Sequence, residues 1–286
     1  ACIHLPRPNQ EVIGLIKMEF YNEVTPLLKR YIRHYWHVYS EETDFYSESL
    51  LLPMDHVDLI ISIGGDFVYD NGKSIRPESI HFHGMRKQSV KVTQRGKVQS
   101  AGISFTPWGF YFFIRQPMSQ FVNKIINLSD VNDPLWEELS YHLDQFDGFS
   151  RFVKSIEKSF VTHLNATKKE QLDCRTIEEF LSVQDTNVMA FCKTNQISLR
   201  KLERIFKKYI GIGPKRFREV IRFEESSKDV LYSNESSLTD ISYKHGFYDQ
   251  SHFGKVFKNY TSYSPRHFQS DKPALKSHMR YDYEQD

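Results

Sequence analysis

Cysteine is scarce: Cys2, Cys174 and Cys192 are odd in number, far apart and in no CxxC pair. They exclude a disulfide framework and a cysteine-rich metal site, and read as reduced thiols of a cytoplasmic protein. Long apolar runs are missing too. Leu59-Ile60-Ile61-Ser62-Ile63 is far short of a membrane span, and the first residues lack the apolar core of a signal peptide, so no membrane partner is expected. No Gly-x-Ser-x-Gly elbow, phosphate loop or zinc-protease motif occurs, which argues against the common enzyme classes and against a cofactor. Net charge is nearly absent, at +2, yet it is unevenly spread. Between Arg200 and Arg222 nine basic residues stand against two acidic ones, Glu203 and Glu219. A focused positive surface suits a polyanion.

What is present is a phrase written twice. Ile205-Phe206-Lys207-Lys208-Tyr209 returns as Val256-Phe257-Lys258-Asn259-Tyr260, and the pairs Phe206/Phe257, Pro214/Pro265 and Phe217/Phe268 share one offset of 51 residues. Leu202, Phe206 and Tyr209, like Phe253, Phe257 and Tyr260, fall four and three apart. Each copy is therefore an amphipathic helix with an aromatic inner stripe. A shorter helical segment precedes each, Val188 to Thr194 and Leu238 to His245, giving the outline of a helix-turn-helix twice over. The second turn holds one extra residue, and Gly246 lets it reverse through positive φ.

The run from Asp240 through Lys244-His245-Gly246-Phe247 to Phe253, followed by Phe257-Lys258 and Ser264-Pro265, resembles the paired helix-turn-helix domain of AraC-type transcription regulators. Two residues depart from that pattern: Ser242 stands where alanine is usual and Ser262 where a glycine ends the second helix, a position filled in the first copy by Gly211. A left-handed serine costs roughly 1 kcal/mol relative to glycine, so a different or frayed helix end is expected there. The resemblance implies double-stranded DNA as partner, and RNA polymerase if the protein is an activator. It places base-reading positions on Arg200, Glu203 and Arg204 of the first helix and on Gln250, Ser251, Gly254 and Lys255 of the second. Arg204 offers guanine a bidentate fork, Gln250 suits adenine and Glu203 can accept from cytosine. Lys207, Lys208, Lys258 and Arg266 suit phosphates.

The first half has strand grammar: short β-branched or aromatic runs at Val12 to Phe20, Tyr31 to Tyr39, Val57 to Ile63, Ser79 to His83, Ser89 to Thr93 and Val98 to Phe105. Gly64-Gly65-Asp66 and Asp70-Asn71-Gly72-Lys73 read as turns, the latter as a type I′ hairpin. A short helix is expected after Pro107, then helices at Pro134 to Leu143 and Phe149 to Leu164. The apolar stripe of the last one must pack either on its own β domain or in a homodimer or interdomain contact. Asn165 to Gln171 reads as a linker, Cys174 to Val183 as the next helix and Pro214 to Tyr232 as a connecting helix.

The fold expected is thus α+β: an N-terminal β-barrel or roll-like domain with flanking helices, then an all-α domain of two helix-turn-helix units joined by a connecting helix. The boundaries are 1–148 for the β-rich sensor-like domain, 149–172 for helix and linker, 173–273 for the DNA-binding domain and 274–286 for a polar tail. The first half resembles, more distantly, the sensor portion of some AraC-type regulators, through Val57 to Gly64 and Ala101 to Gly109. Its crowded aromatics are either barrel filling or a pocket in which Tyr35, Trp36, His81, His83, Arg86 and Trp108 orient a small-molecule effector. The spacing His81-Phe82-His83 suits a metal, but Gly84-Met85-Arg86-Lys87-Gln88 brings no carboxylate, so no metal is expected. A metal-dependent cupin-like enzyme fused to a DNA-binding domain is the alternative.

Overall fold

The computed structural model describes residues 16–43, 45–183, 187–232 and 237–271. Residues 12–15 of the first expected strand, Cys2 and the polar tail lie outside them. Eight antiparallel strands form one sheet: β1 (Ile16–Tyr21), β2 (Ile32–Ser40), β3 (Tyr46–Leu51), β4 (Asp58–Tyr69), β5 (Ser74–Ile75), β6 (Ser79–His83), β7 (Val90–Phe105) and β8 (Ile125–Asn127). Their order is β1-β2-β7-β4-β6-β8, with β3 also on β7 and β5 on β4.

The Gly64-Gly65-Asp66 segment is no turn between strands. β4 runs through it with register shifts on either side of Gly64. The runs 89–93 and 98–105, expected as two strands, are likewise one continuous β7. Seven residues of extended chain span about 23 Å. His81 pairs with Ile60, yet the Phe67 ring lies 6.3 Å from the His81 ring, so β4 must fold over at its middle. Glycine makes that corner possible. At Gly65, with φ +74°, a Cβ would sit 2.7 Å from the carbonyl oxygens of Arg95 and Lys97, and Gly96 beside it has φ +81°. The sheet is therefore a roll.

Other local expectations are corrected. In the Asp70 to Lys73 loop only Gly72 has positive φ, and its N–H donates to the Tyr69 carbonyl. That is a type I turn closed by a left-handed glycine, not type I′, which needs two such residues. Strands β3, β5 and β8 lie outside the expected runs. Helix α1 (Tyr111–Ile114) follows Pro107 as expected, then a 3-10 turn at Met118–Gln120, α2 (Asp133–Asp144) and α3 (Phe149–His163). The α3 stripe packs on its own domain: Phe160 lies against Phe105 and Phe113, and Phe149 stacks on His37. Glu157 fixes the docking by accepting from Thr25 N, Thr25 Oγ1 and Tyr35 Oη.

Helix α4 (Lys168–Ser182) starts six residues before the expected Cys174, because Thr167 and Glu170 form a capping box. The polar break thus ends at Thr167. Then come α5 (Val188–Thr194), α6 (Leu199–Tyr209), α7 (Pro214–Tyr232), α8 (Leu238–Lys244), α9 (Gln250–Thr261) and α10 (Pro265–Asp271). The aromatic stripes are buried as the spacing required: Phe206 packs on Phe180 and Phe217, Phe257 on Phe223 and Phe268.

The helical part docks on the roll. Tyr209 packs edge-on against Tyr111 at 4.7 Å, Arg30 pairs with Glu178 at 3.1 Å, and Ser89 N donates to the Tyr260 carbonyl at 2.7 Å. Gly211, with φ +107°, lets Met118 and Val122 approach so closely that a Cβ would be 3.0 Å from the Met118 carbonyl. Glu224 on α7 accepts from Asp55 N at 2.9 Å. Asp55 itself holds Arg33 through both carboxylate oxygens and contacts His56. Burial, then the negative Asp55, push the Glu224 carboxyl up to about 7 against the opposing pull of His56, Arg33 and the Asp55 N–H.

Two outcomes follow from this packing. On Gly102 a Cβ would fall 2.1 Å from the Trp36 indole, so Gly102→Ala should lose about 1–3 kcal/mol in urea denaturation and disturb the near-UV signal of Trp36. Glu224 binds its proton more tightly folded than unfolded, so its contribution is full below the ordinary 4.5 and is lost as pH rises to about 7. Wild type should therefore lose stability relative to Glu224→Gln across that window; parallel pH profiles would show that no buried carboxyl titrates there.

Candidate nucleic-acid interface and the interior of the roll

Each long helix of the repeat is started by a side chain that accepts from a free N–H of its first turn. Ser198 caps α6 through Lys201 N, and Asp249 caps α9 through His252 N. The connections before them are of unequal length, Asn195 to Ser198 and His245 to Asp249, as the repeat offset implied. Both reverse through a left-handed residue, Gln196 at φ +50° and Gly246 at φ +68°. Ser262 does adopt the left-handed conformation, at φ +67°, and its N–H closes α9 onto the Lys258 carbonyl at 2.8 Å. The helix ends where a glycine would have ended it, at roughly 1 kcal/mol of backbone cost. Ser242 fits by donating its buried hydroxyl to the Thr239 carbonyl.

Arg200, Glu203 and Arg204 are all exposed on one side of α6, and Gln250, Ser251 and Lys255 are exposed on α9, with Gly254 half-buried between them. Two local contacts modify this set. Glu203 lies 3.9 Å from Lys207, and the Gln250 amide oxygen accepts from Thr239 Oγ1 at 3.0 Å. Lys207, Lys258 and Arg266 are exposed. Lys208, expected on a phosphate, is half-buried and engaged by its neighbours. Its Nζ is 3.4 Å from Glu170 and sits over the rings of Tyr111 and Tyr209. Burial favours the neutral form of Glu170, but the Thr167 N–H and hydroxyl, Arg115 and Tyr111 Oη outweigh it and hold the carboxyl at about 2.

Between the two units runs a groove of about 870 Å³ lined by Met189, Leu199, Lys215, Arg216, Arg222 and His252 among others. Arg216 rests on the Tyr260 ring and pairs with Glu219, whereas Arg218 is a structural cation that donates to the carbonyls of Phe180 and Val183. Tyr248, in the second turn, is 86% exposed. A second groove, of about 720 Å³, separates Pro117 and Ser119 from Arg200, Arg204 and Lys207.

The expected effector pocket is divided by the sheet. Trp36, His81 and His83 point into the roll, where the indole lies flat on Gly102 and Tyr69 Oη meets His83 Nε2 at 2.9 Å. Arg86 is buried beside Tyr69. Tyr35 and Trp108 instead belong to the core on the helix-covered face, and the segment after Pro107 is filled by Phe110, Phe112 and Phe113. Among the described residues no group of three His, Cys, Asp or Glu side chains is placed to hold a metal. Nor is any helix among them long and apolar enough to cross a membrane.

A helix-turn-helix domain family matches residues 191–271. That helix-turn-helix domain is of the AraC type. Residues 24–127 match a domain of unknown function, DUF6597. The chain is 35% identical over 78 residues to the HTH-type transcriptional activator RhaS of Enterobacter sp. (strain 638), covering 27% of this chain and 28% of that protein. An uncharacterized HTH-type transcriptional regulator of Staphylococcus aureus (strain MSSA476) is 29% identical over 79 residues, 28% of this chain and 10% of its own length. The chain thus spans between about a tenth and under a third of the curated relatives it matches. Among solved structures, ToxT from Vibrio cholerae overlaps 90% of this chain and 98% of its own with 12% identity and a TM-score of 0.41.

The two neighbouring lysines of the AraC-type domain should separate experimentally. Lys207→Ala should reduce the log-log salt slope of DNA binding by about one unit. Lys208→Ala should leave that slope unchanged and lower thermal stability, since it empties the Glu170 joint. An equal loss of slope in both variants would return Lys208 to the DNA face.

Proposed function

We propose that this chain is a sequence-specific DNA-binding transcription regulator of the AraC type, whose N-terminal domain takes a small-molecule effector. The observation that carries the reading is the pair of helix-turn-helix units in one chain, each offering an exposed polar helix face at the start of its second helix. Residues 173–273 are the DNA-binding unit, 1–148 the sensing unit, 149–172 their connection and 274–286 a tail. Arg200, Glu203 and Arg204 read bases in one major groove, and Gln250, Ser251, Gly254 and Lys255 in the next, about 34 Å along a non-palindromic site. Lys207, Lys258 and Arg266 hold phosphates. Lys215 and Arg222, in the groove between the units, suit the backbone that runs between the two major grooves. RNA polymerase is a further partner if the protein activates, and a homodimer is compatible with one such site per protomer. Its work is binding in the cytoplasm rather than catalysis, and it asks for no cofactor.

Division of labour between the helices is the testable part. The first helix carries an arginine at a base-reading position, and the second offers shorter or neutral groups, one of them already engaged by Thr239. Arg204→Ala should cost about 1–3 kcal/mol on the best site and relax preference at one base pair. Lys255→Ala should be milder, because lysine is a point charge without fork geometry. Binding of both variants to the preferred site and to its single-base-pair variants checks this; greater loss of discrimination in Lys255→Ala would reverse the assignment.

A further inference from the structure

The interior of the roll holds a positive charge with no counter-charge. Arg86 follows β6, is 5% exposed, and its Nε and Nη2 are buried without a hydrogen-bond partner. Among the described residues it forms no ion pair. Asp70, the acidic group that influences it, is exposed and accepts from the Lys91 N–H. Burying a guanidinium in this way is unfavourable unless something pairs with it.

The side chain is also held in place. Gly84 N donates to the Lys124 carbonyl at 3.0 Å, Asn123 N to the Met85 carbonyl at 3.0 Å, and Lys87 N to Asn123 Oδ1 at 2.8 Å. Gly84 is pressed so close to Phe121 that a Cβ would overlap its carbonyl. The backbone on both sides of Arg86 is therefore clamped. Nε and Nη2 form one edge of the guanidinium, the edge that takes two coplanar oxygens at once.

The surroundings define what those oxygens could belong to. Tyr69 and His83 form a hydrogen-bonded polar wall, and the apolar cluster of Phe67, Ile75, Val92 and Ile125 is its neighbour. Farther into the roll Ser62 and Ser100 stand opposite each other on β4 and β7, and both hydroxyls are buried without a hydrogen-bond partner. A monoanion with a short carbon tail satisfies the fork and the apolar wall together; a dianion such as phosphate would lose far more hydration than one arginine returns.

We propose that the interior of the roll is a receptor site for a small carboxylate, gripped side-on by Nε and Nη2 of Arg86, with Tyr69 and His83 beside the carboxylate and the apolar cluster against its tail. The proposal rests on the reading of this domain as effector-binding and names the effector's class.

The test uses the full chain with formate, acetate and butyrate, each beside its neutral amide, and with inorganic phosphate. Thermal unfolding and the Nε–Hε resonance of Arg86 are the readouts. Carboxylates should raise the melting temperature and move that resonance, and amides should do neither. Arg86→Met should lose the carboxylate response while its unliganded form is at least as stable as wild type, because an unpaired buried charge is gone. Equal responses to acids and amides, or a carboxylate response that survives in Arg86→Met, would overturn the anion site and leave the effector reading standing. A response to phosphate alone would overturn the carboxylate class. Silence from every probe in both readouts would overturn the proposal and the effector reading together.

Discussion

A single carboxylate joins the parts of this molecule. Glu170 completes the capping box that starts α4, accepts from Tyr111 Oη in α1, pairs with Arg115 just after α1 and receives Lys208 from the end of α6. It thereby ties a helix terminus, the helix-covered face of the roll and the first long helix of the repeat to one buried point. Each bond to a charged group is worth about 1.5–3 kcal/mol, and removing the shared acceptor would strand several donors together. Arg115 and Lys208 cannot both leave it without exposing a carboxylate that is otherwise buried. The fixed position of α6 against the roll follows from this acceptor and from the Tyr111–Tyr209 ring contact beside it.

The helical repeat was legible because its period is local. Phe206 and Tyr209, and their partners Phe257 and Tyr260, are spaced to bury one stripe whatever surrounds them, and all four are fully buried. The roll was legible only in its strands. Gly64-Gly65 reads as a turn because glycine pairs usually are one; here the glycines pass a bent strand between the carbonyls of its neighbour, a contact that exists only after β7 is in place. The same corner made β7 look like two strands. β8 escaped notice because three residues carry no period, and its place is set by pairing with β6 alone.

The candidate site divides along the same line. That Arg200 and Arg204 lie outside a helix whose inner stripe is aromatic follows from spacing. That Lys208, on the same groove, is also engaged by Glu170 and Tyr111 follows from residues 38 and 97 positions away in the chain, which no local reading brings near it. In the roll, Tyr35 and Trp36 could not both face one pocket, since adjacent strand residues point to opposite sides. Trp36 opens onto the interior and Tyr35 onto Glu157. The alternation was available in the sequence, but the identity of the inner face was not, because both faces of this sheet are covered.

The contacts between the roll and the two helix-turn-helix units are unequal, and the inequality has a consequence for how a signal could cross. The first unit is held by the Glu170 network, the tyrosine pair and the close fit of Gly211 under Met118 and Val122. The end of α9 meets the roll through the Ser89–Tyr260 backbone hydrogen bond, made by the same segment that carries Arg86. A neutral hydrogen bond contributes about 0.5–1.5 kcal/mol net. Coupling between two sites commonly amounts to about 1–3 kcal/mol. A change of that size is comparable with the Ser89 contact and small beside the joint around Glu170.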